Sequence, residues 1–182
     1  MAGRPPPGEP VPHDGRLPAG RGDPDAPLSI YLHVPYCRTR CGYCDFNTYT
    51  LGELTDADGT VLAGAATSAF VDAALAELDL AQAVVGRRLV PTVFVGGGTP
   101  TLLPSSELVR LLDGVRRHFD LAPDAEVTTE ANPESVTTAS LAELREGGFT
   151  RISYGMQSAT PHVLATLDRV HTPGRAIAAV GE

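Results

Sequence analysis

The sequence predicts an α/β fold built on a parallel sheet, and three observations predict it. Short β-rich apolar runs recur from Leu28 onward, and segments with apolar residues at helical spacing separate them. Strand and helix alternate without a break, which implies parallel strands joined by right-handed crossovers. Four such units do not close a barrel, which takes eight strands in its complete form. An open sheet or a truncated barrel fits better.

Each element has its own signal. Leu28-Ser-Ile-Tyr-Leu-His-Val34 is an apolar run that ends at Pro35 and reads as a first buried strand. A polar, Gly-containing stretch follows to about Ala63. Phe70, Ala74, Leu78, Ala81 and Val85 then recur at helical spacing, and Gly86 closes that helix. Pro91 opens a second strand, Thr92 to Val95, which runs into Gly96-Gly97-Gly98. Leu108, Leu111, Leu112, Val115 and Phe119 mark the next helix, with Ser105 or Ser106 as cap and Glu107 in the first turn. A third strand covers about Ala125 to Glu130. Leu141 and Leu144 belong to a short helix stopped by Gly147-Gly148, and Thr150 to Tyr154 is the fourth strand. Thr160-Pro161 and Thr172-Pro173 each start a helix in the favoured cap-then-proline order. The last helix stops after about two turns at Glu182, a length that reads as part of a longer protein.

Residues 1–27 differ in kind. They hold eight of the 16 prolines and five glycines, with no apolar stretch. That composition cannot bury enough apolar surface to offset its ordering entropy, so a disordered tail is expected, with the core domain beginning at residue 28.

Composition excludes several classes of function. A formal charge of −8 argues against a nucleic-acid partner, whose footprint should be basic. No run of about 18 apolar residues exists to span a membrane, and the tail has no secretory signal. The three cysteines, Cys37, Cys41 and Cys44, lie within eight residues of one another. Clustered, odd-numbered cysteines suit a reducing cytoplasm and a metal more than a disulfide framework.

The strongest chemical signal is Cys37-Arg-Thr-Arg-Cys41-Gly-Tyr-Cys44. Thiolates at C-x3-C-x2-C spacing can converge on one inorganic core, and three of them leave one iron of a four-iron cluster without a protein ligand. The competing readings are thiols without a ligand and zinc held by three cysteines and one histidine, for which His33 sits inside a strand. Gly96-Gly97-Gly98-Thr99-Pro100 ends strand two, where residues without Cβ let a ligand press against the backbone; a tight turn is the plainer reading. It is neither G-x-G-x-x-G nor, in a chain without lysine, a P-loop. Glu130-Ala-Asn132-Pro133 ends strand three and Gly155-Met156-Gln157-Ser158 follows strand four. A carboxylate suits a ribose diol or an ammonium, and an amide can bond either partner type. All four groups fall at the carboxyl ends of successive parallel strands, the end at which such sheets build their sites. Arg169 and His171 could contact an anion, a solvated helix end being the plainer reading; His13, His118 and His162 read as surface or satisfied histidines, and Met156 as packing.

These residues carry a resemblance. C-x3-C-x2-C after a first strand resembles the radical S-adenosylmethionine (SAM) superfamily. Tyr31-Leu-His-Val-Pro-Tyr-Cys37, Gly96-Gly-Gly-Thr-Pro100, Glu130-Ala-Asn-Pro133 and Arg151-Ile-Ser-Tyr-Gly-Met-Gln157-Ser158 together resemble one branch. It contains the oxygen-independent coproporphyrinogen III oxidases and the heme chaperones of the HemW type. The resemblance implies a partial (β/α) barrel of radical SAM type, with about six strands when complete and about four present here. It implies that Cys37, Cys41 and Cys44 hold a [4Fe-4S] cluster whose open iron takes the amino and carboxylate groups of SAM. Tyr31 and Tyr43 match cofactor-lining positions, Tyr43 through its backbone. Gly97, Gly98 and Thr99 match the glycine-rich SAM contact, and Glu130, Gln157 and Arg169 match further SAM-binding positions. No separate catalytic side chain is implied.

A one-electron reductant would supply the electron that cleaves SAM to methionine and a 5′-deoxyadenosyl radical. The oxidases of the branch carry a further cysteine two positions after the third, where this chain has Phe46. That pattern looks like the heme chaperones and implies heme as cargo and an acceptor protein as partner. The alternative is coproporphyrinogen III dehydrogenase in porphyrin biosynthesis, where the radical takes hydrogen from a propionate side chain.

Overall fold

The computed structural model describes residues 13, 23, 25–54, 63–168, 172 and 174–182. Most of the tail expected over residues 1–27 lies outside these. The elements, in order, are β1 (Ser29–Val34), β2 (Tyr36–Cys37), β3 (Tyr49–Thr50), α1 (Ala63–Val85), β4 (Leu89–Gly97), α2 (Ser105–His118), β5 (Asp120–Ala131), α3 (Thr138–Gly147), β6 (Arg151–Tyr154), α4 (Pro161–Thr166) and α5 (Arg175–Gly181).

The main sheet has the order β1-β4-β5-β6, and every pair in it is parallel. The four expected strands are the four observed. Their order in space follows their order in the chain, so right-handed crossovers add each helix to the same face. A doubly wound sheet would reverse its order at some point. This sheet does not, and it is an arc of a (β/α) barrel.

Register shows how the two faces divide. Ile30 pairs with Val93 and Val93 with Val127; Leu32 pairs with Val95, Val95 with Thr129 and Thr129 with Ile152. These rows meet Val71 and Leu78 of α1, Leu108, Leu111, Leu112 and Val115 of α2, and Leu144 of α3 in one core. Strand side chains alternate with a period of two. The opposite face therefore carries Tyr31, Phe94, Thr128 and Arg151 in one row, and His33, Gly96, Glu130 and Ser153 in the next.

Several boundaries differ from the sequence reading. Pro91 lies inside β4, at a register irregularity between Val90 and Thr92, where its missing N–H costs no ladder bond. The N-cap of α2 is Pro104, and neither Ser105 nor Ser106 caps it; Ser105 Oγ instead donates to Glu143 of α3. Helix α5 starts after Gly174, whose φ is 79°, and Pro173 lies outside the described residues. The stretch after β1 also holds a small parallel pair, β2 with β3, joining Tyr36 to Tyr49 and Cys37 to Thr50.

Candidate active site

The carboxyl ends of the four main strands surround a cavity of about 390 Å³, within the range of small-molecule sites. Cys37, Cys41, Cys44 and Tyr43 line one side. Gly97, Gly98 and Thr99 after β4, Glu130 and Asn132 at the end of β5, and Gly155 and Gln157 after β6 line the rest. A larger cavity, of about 580 Å³, lies between β1 and α1 among Leu28, Ile30, Phe70, Ala74 and Val85. It follows the free edge of β1 and contains no cysteine, so the smaller cavity is where the chemistry converges.

Local bonds explain how the cysteine loop holds its shape. Gly98 N–H donates to Val34 O at 2.8 Å, and Thr99 N–H donates to Tyr36 O at 2.7 Å. A Cβ on Gly98 would stand 2.4 Å from Tyr36 O and 3.0 Å from Cys37 Sγ. The glycine therefore lets the β4 loop press directly on the backbone that carries the first cysteine. Tyr49 N–H donates to Pro35 O, and Cys44 N–H closes a turn on Cys41 O at 3.0 Å. Arg40 bonds Thr48 O at 2.6 Å and Glu53 at 3.0 Å. The Thr50 amide, helped by its hydroxyl and by Arg40, holds the Glu53 carboxyl below its usual range.

His33 is part of the same clamp. Asn47 O can only accept, so His33 Nε2 donates to it at 2.9 Å; Nδ1 is hydrogen-bonded with the Tyr31 hydroxyl at 3.0 Å. Both ring nitrogens are engaged, which leaves His33 unsuited to complete a zinc site. Among the described residues, no three His, Cys, Asp or Glu groups are drawn together as ligands of a single ion. A four-iron cluster asks less of its thiolates, because each meets a different iron. Three thiols outside any disulfide on one cavity wall fit that donor set.

The Cys37 thiol is pushed up by burial; hydrogen bonds from Thr48 and Thr99 work against this, while the neighbouring Cys44 and Cys41 add to it. Cys37 is 7% exposed, whereas Cys41 and Cys44 are half-buried. The thiolate is the reactive form. In metal-free protein at neutral pH, iodoacetamide is therefore expected to modify Cys37 more slowly than Cys41 or Cys44. Peptide mapping over time checks this, and equal rates would contradict the burial argument.

The glycine loop differs from the expected exposed cradle. Gly97 N–H donates to Glu130 Oε2 at 3.0 Å, and the next two amides are spent on Val34 and Tyr36. What the loop can offer a ligand is acceptor oxygen, which suits an ammonium or amine. Gly97 has φ 113°, and a Cβ there would meet the His33 ring at 2.6 Å. Glu130 thus serves the fold with one carboxylate oxygen while its side chain lines the cavity.

Tyr31 is not among the lining residues. Its ring stacks on Phe94, with centroids 6.1 Å apart, and is 56% exposed. Burial and then the Glu130 carboxylate raise its phenol, and its hydroxyl acts through His33 on the cysteine loop. Gln157 lines the cavity with φ 66°. Arg169 and His171 lie outside the described residues. His118 is satisfied, bonding Gly114 O at 2.7 Å and Asp79 of α1 at 2.5 Å. Met156, expected to pack, is 40% exposed. Phe46, singled out in the sequence as the departure from the oxidases, also lines the cavity, as do Arg38, Thr39 and Ser153, which only their proximity to the named motifs could have suggested.

Comparison with known proteins places this arrangement. The Radical SAM superfamily is matched over residues 31–182. The chain is 56% identical over 159 residues to the heme chaperone HemW of Mycobacterium tuberculosis, a match covering 87% of this chain and 39% of that protein. It is 42% identical over 151 residues to the heme chaperone HemW of Escherichia coli, covering 82% of this chain and 37% of the relative. Its fold is similar to the solved coproporphyrinogen III oxidase (HemN) from Escherichia coli, with a TM-score of 0.72 and 29% identity over 87% of this chain and 34% of that one. The chain therefore spans well under half the length of the proteins it matches.

Proposed function

The chain belongs to the radical SAM superfamily, and we propose that it forms the cluster- and SAM-binding part of a heme chaperone that passes heme to an acceptor protein. The observation that carries this is the convergence of Cys37, Cys41 and Cys44 with Gly97, Gly98, Thr99, Glu130 and Gln157 on one cavity. Cys37, Cys41 and Cys44 would hold a [4Fe-4S] cluster, which supplies electron transfer to SAM when bound. The chain's own residues do the positioning. The glycine-loop carbonyls and the Glu130 carboxylate receive the donor groups of SAM, Gln157 closes the cavity from the β6 side, and Tyr43 covers the cluster loop. Tyr31 contributes through His33, and Arg169 is proposed as a further SAM contact. A reducing cytoplasm suits three cysteines outside any disulfide, and no helix among the described residues is long and apolar enough to cross a membrane.

Phe46 favours cargo handling over oxidation. It stands at the cavity 64% exposed, where the oxidases of the branch carry a cysteine. The likeness to HemN keeps a second reading open, oxidation of coproporphyrinogen III. Heme titration beside a coproporphyrinogen turnover assay, both on full-length holoprotein, separates them. Stoichiometric heme binding without turnover supports the chaperone, and turnover without heme binding overturns it.

Glu130→Gln tests the SAM contact. The amide still accepts from Gly97 N–H, so the loop survives while the charge is lost. A charge-assisted hydrogen bond contributes about 1.5–3 kcal/mol, so SAM affinity should fall about tenfold or more with iron content unchanged. Equilibrium binding checks this, and unchanged affinity refutes the role.

A further inference from the structure

We propose that Asp168 is a positioning residue that fastens the end of α4 onto the cysteine loop and sets the charge beside the cluster that loop would hold. The inference rests on the cluster reading above.

Gly42, between Cys41 and Cys44, donates its N–H to Leu167 O at 3.2 Å. A Cβ on Gly42 would stand 2.6 Å from Asp168 Oδ2, and 3.5 and 3.6 Å from Cγ and Cβ of the same residue. The Asp168 carboxylate therefore lies directly against the loop between two of the three thiols. Gly42 has no positive φ among the backbone exceptions, so the Asp168 carboxylate oxygen is the one atom that a methyl there would have to push aside.

The aspartate carries the unusual backbone instead. Asp168 has φ 49°, a region unfavourable for most side-chain-bearing residues and one that Asp and Asn enter more readily than most. With this turn the chain leaves α4, and the Leu167 carbonyl meets Gly42. Gln157 is the other non-glycine residue with positive φ among the described residues, and it sits at the start of the same segment, on the cavity wall. The connection from β6 through α4 thus touches the cofactor cavity at one end and the cysteine loop at the other.

Two effects follow. The contact orders the loop, so its thiols hold iron more firmly. The carboxylate also opposes the extra negative charge that reduction brings, because cluster potential follows the charge around it. The side chain is exposed, so the electrostatic part is screened by salt.

The test uses full-length holoprotein reconstituted anaerobically with iron and sulfide. Asp168→Asn keeps the backbone preference and the contact but removes the charge. Its midpoint potential should shift to more positive values at low salt, with iron content unchanged, and the shift should shrink as salt is added. Gly42→Ala, whose methyl pushes the carboxylate end off the loop, should shift the potential in the same direction in the wild-type background. In an Asp168→Gly background, where the clashing carboxylate is gone, the same alanine should add little. An unshifted potential in Asp168→Asn, or an equal Gly42→Ala effect in both backgrounds, overturns the proposal. Wild-type protein that takes up no iron and sulfide overturns the cluster reading and this inference with it.

Discussion

Cys41→Ala is expected to abolish four-iron binding in anaerobically reconstituted protein, where the wild type takes up about four irons per chain. Cys41 belongs to a trio that shares one cavity wall, and the described residues around it offer no replacement thiol. His33, the nearest nitrogen ligand by sequence, is committed to Asn47 and Tyr31. Two thiolates alone leave two irons without protein ligands, and the cluster should not persist through desalting. Iron and sulfide analysis with the visible absorption band checks the outcome. Full cluster retention in the variant would remove the ligand assignment.

Gly98→Ala is expected to unseat the same loop without touching a thiol. The added methyl would meet the Tyr36 carbonyl oxygen at 2.4 Å and its carbon at 2.9 Å, and these are backbone atoms. A side-chain rotation cannot relieve that contact. Moving the loop sacrifices the Gly98-to-Val34 and Thr99-to-Tyr36 hydrogen bonds, each contributing about 1 kcal/mol. Overpacking adds roughly 1–3 kcal/mol, so a loss of about 3 kcal/mol or more is expected, together with poor iron uptake. Gly52→Ala is the control, because nothing stands within 4 Å of its added Cβ. Denaturant melts of both variants check the pair, and similar midpoints would contradict the packing argument.

The sequence made the scaffold legible because its signals are local. The apolar run from Leu28 to Val34, the Gly86 and Gly147-Gly148 stops, and Thr160-Pro161 each act within a few residues, and each matches an observed element. The cavity was legible because topology gathers strand ends wherever they fall in the chain. What stayed hidden depends on contacts between segments with no pattern of their own. The β2–β3 pair is two residues long on each side, too short for any period to show. His33 reaches Asn47 across the cysteine loop, and no spacing rule announces that. The glycine loop shows the limit most clearly. Three glycines in a row signal close approach, but not that the approach is to Tyr36 and Glu130 through spent amides.

The sequential strand order has a consequence for biosynthesis. Protein chains emerge from the ribosome amino end first, at about 5–20 residues per second. The segment with Cys37, Cys41 and Cys44 is therefore translated long before Glu130 and Gln157, which complete the cavity around it. During that interval the thiols lie outside any finished shelter, open to oxidants and stray metals. A cluster held by these thiols would gain the wall formed by Glu130 and Gln157 only once the fourth strand is made, so until then the cellular surroundings must keep the sulfurs reduced.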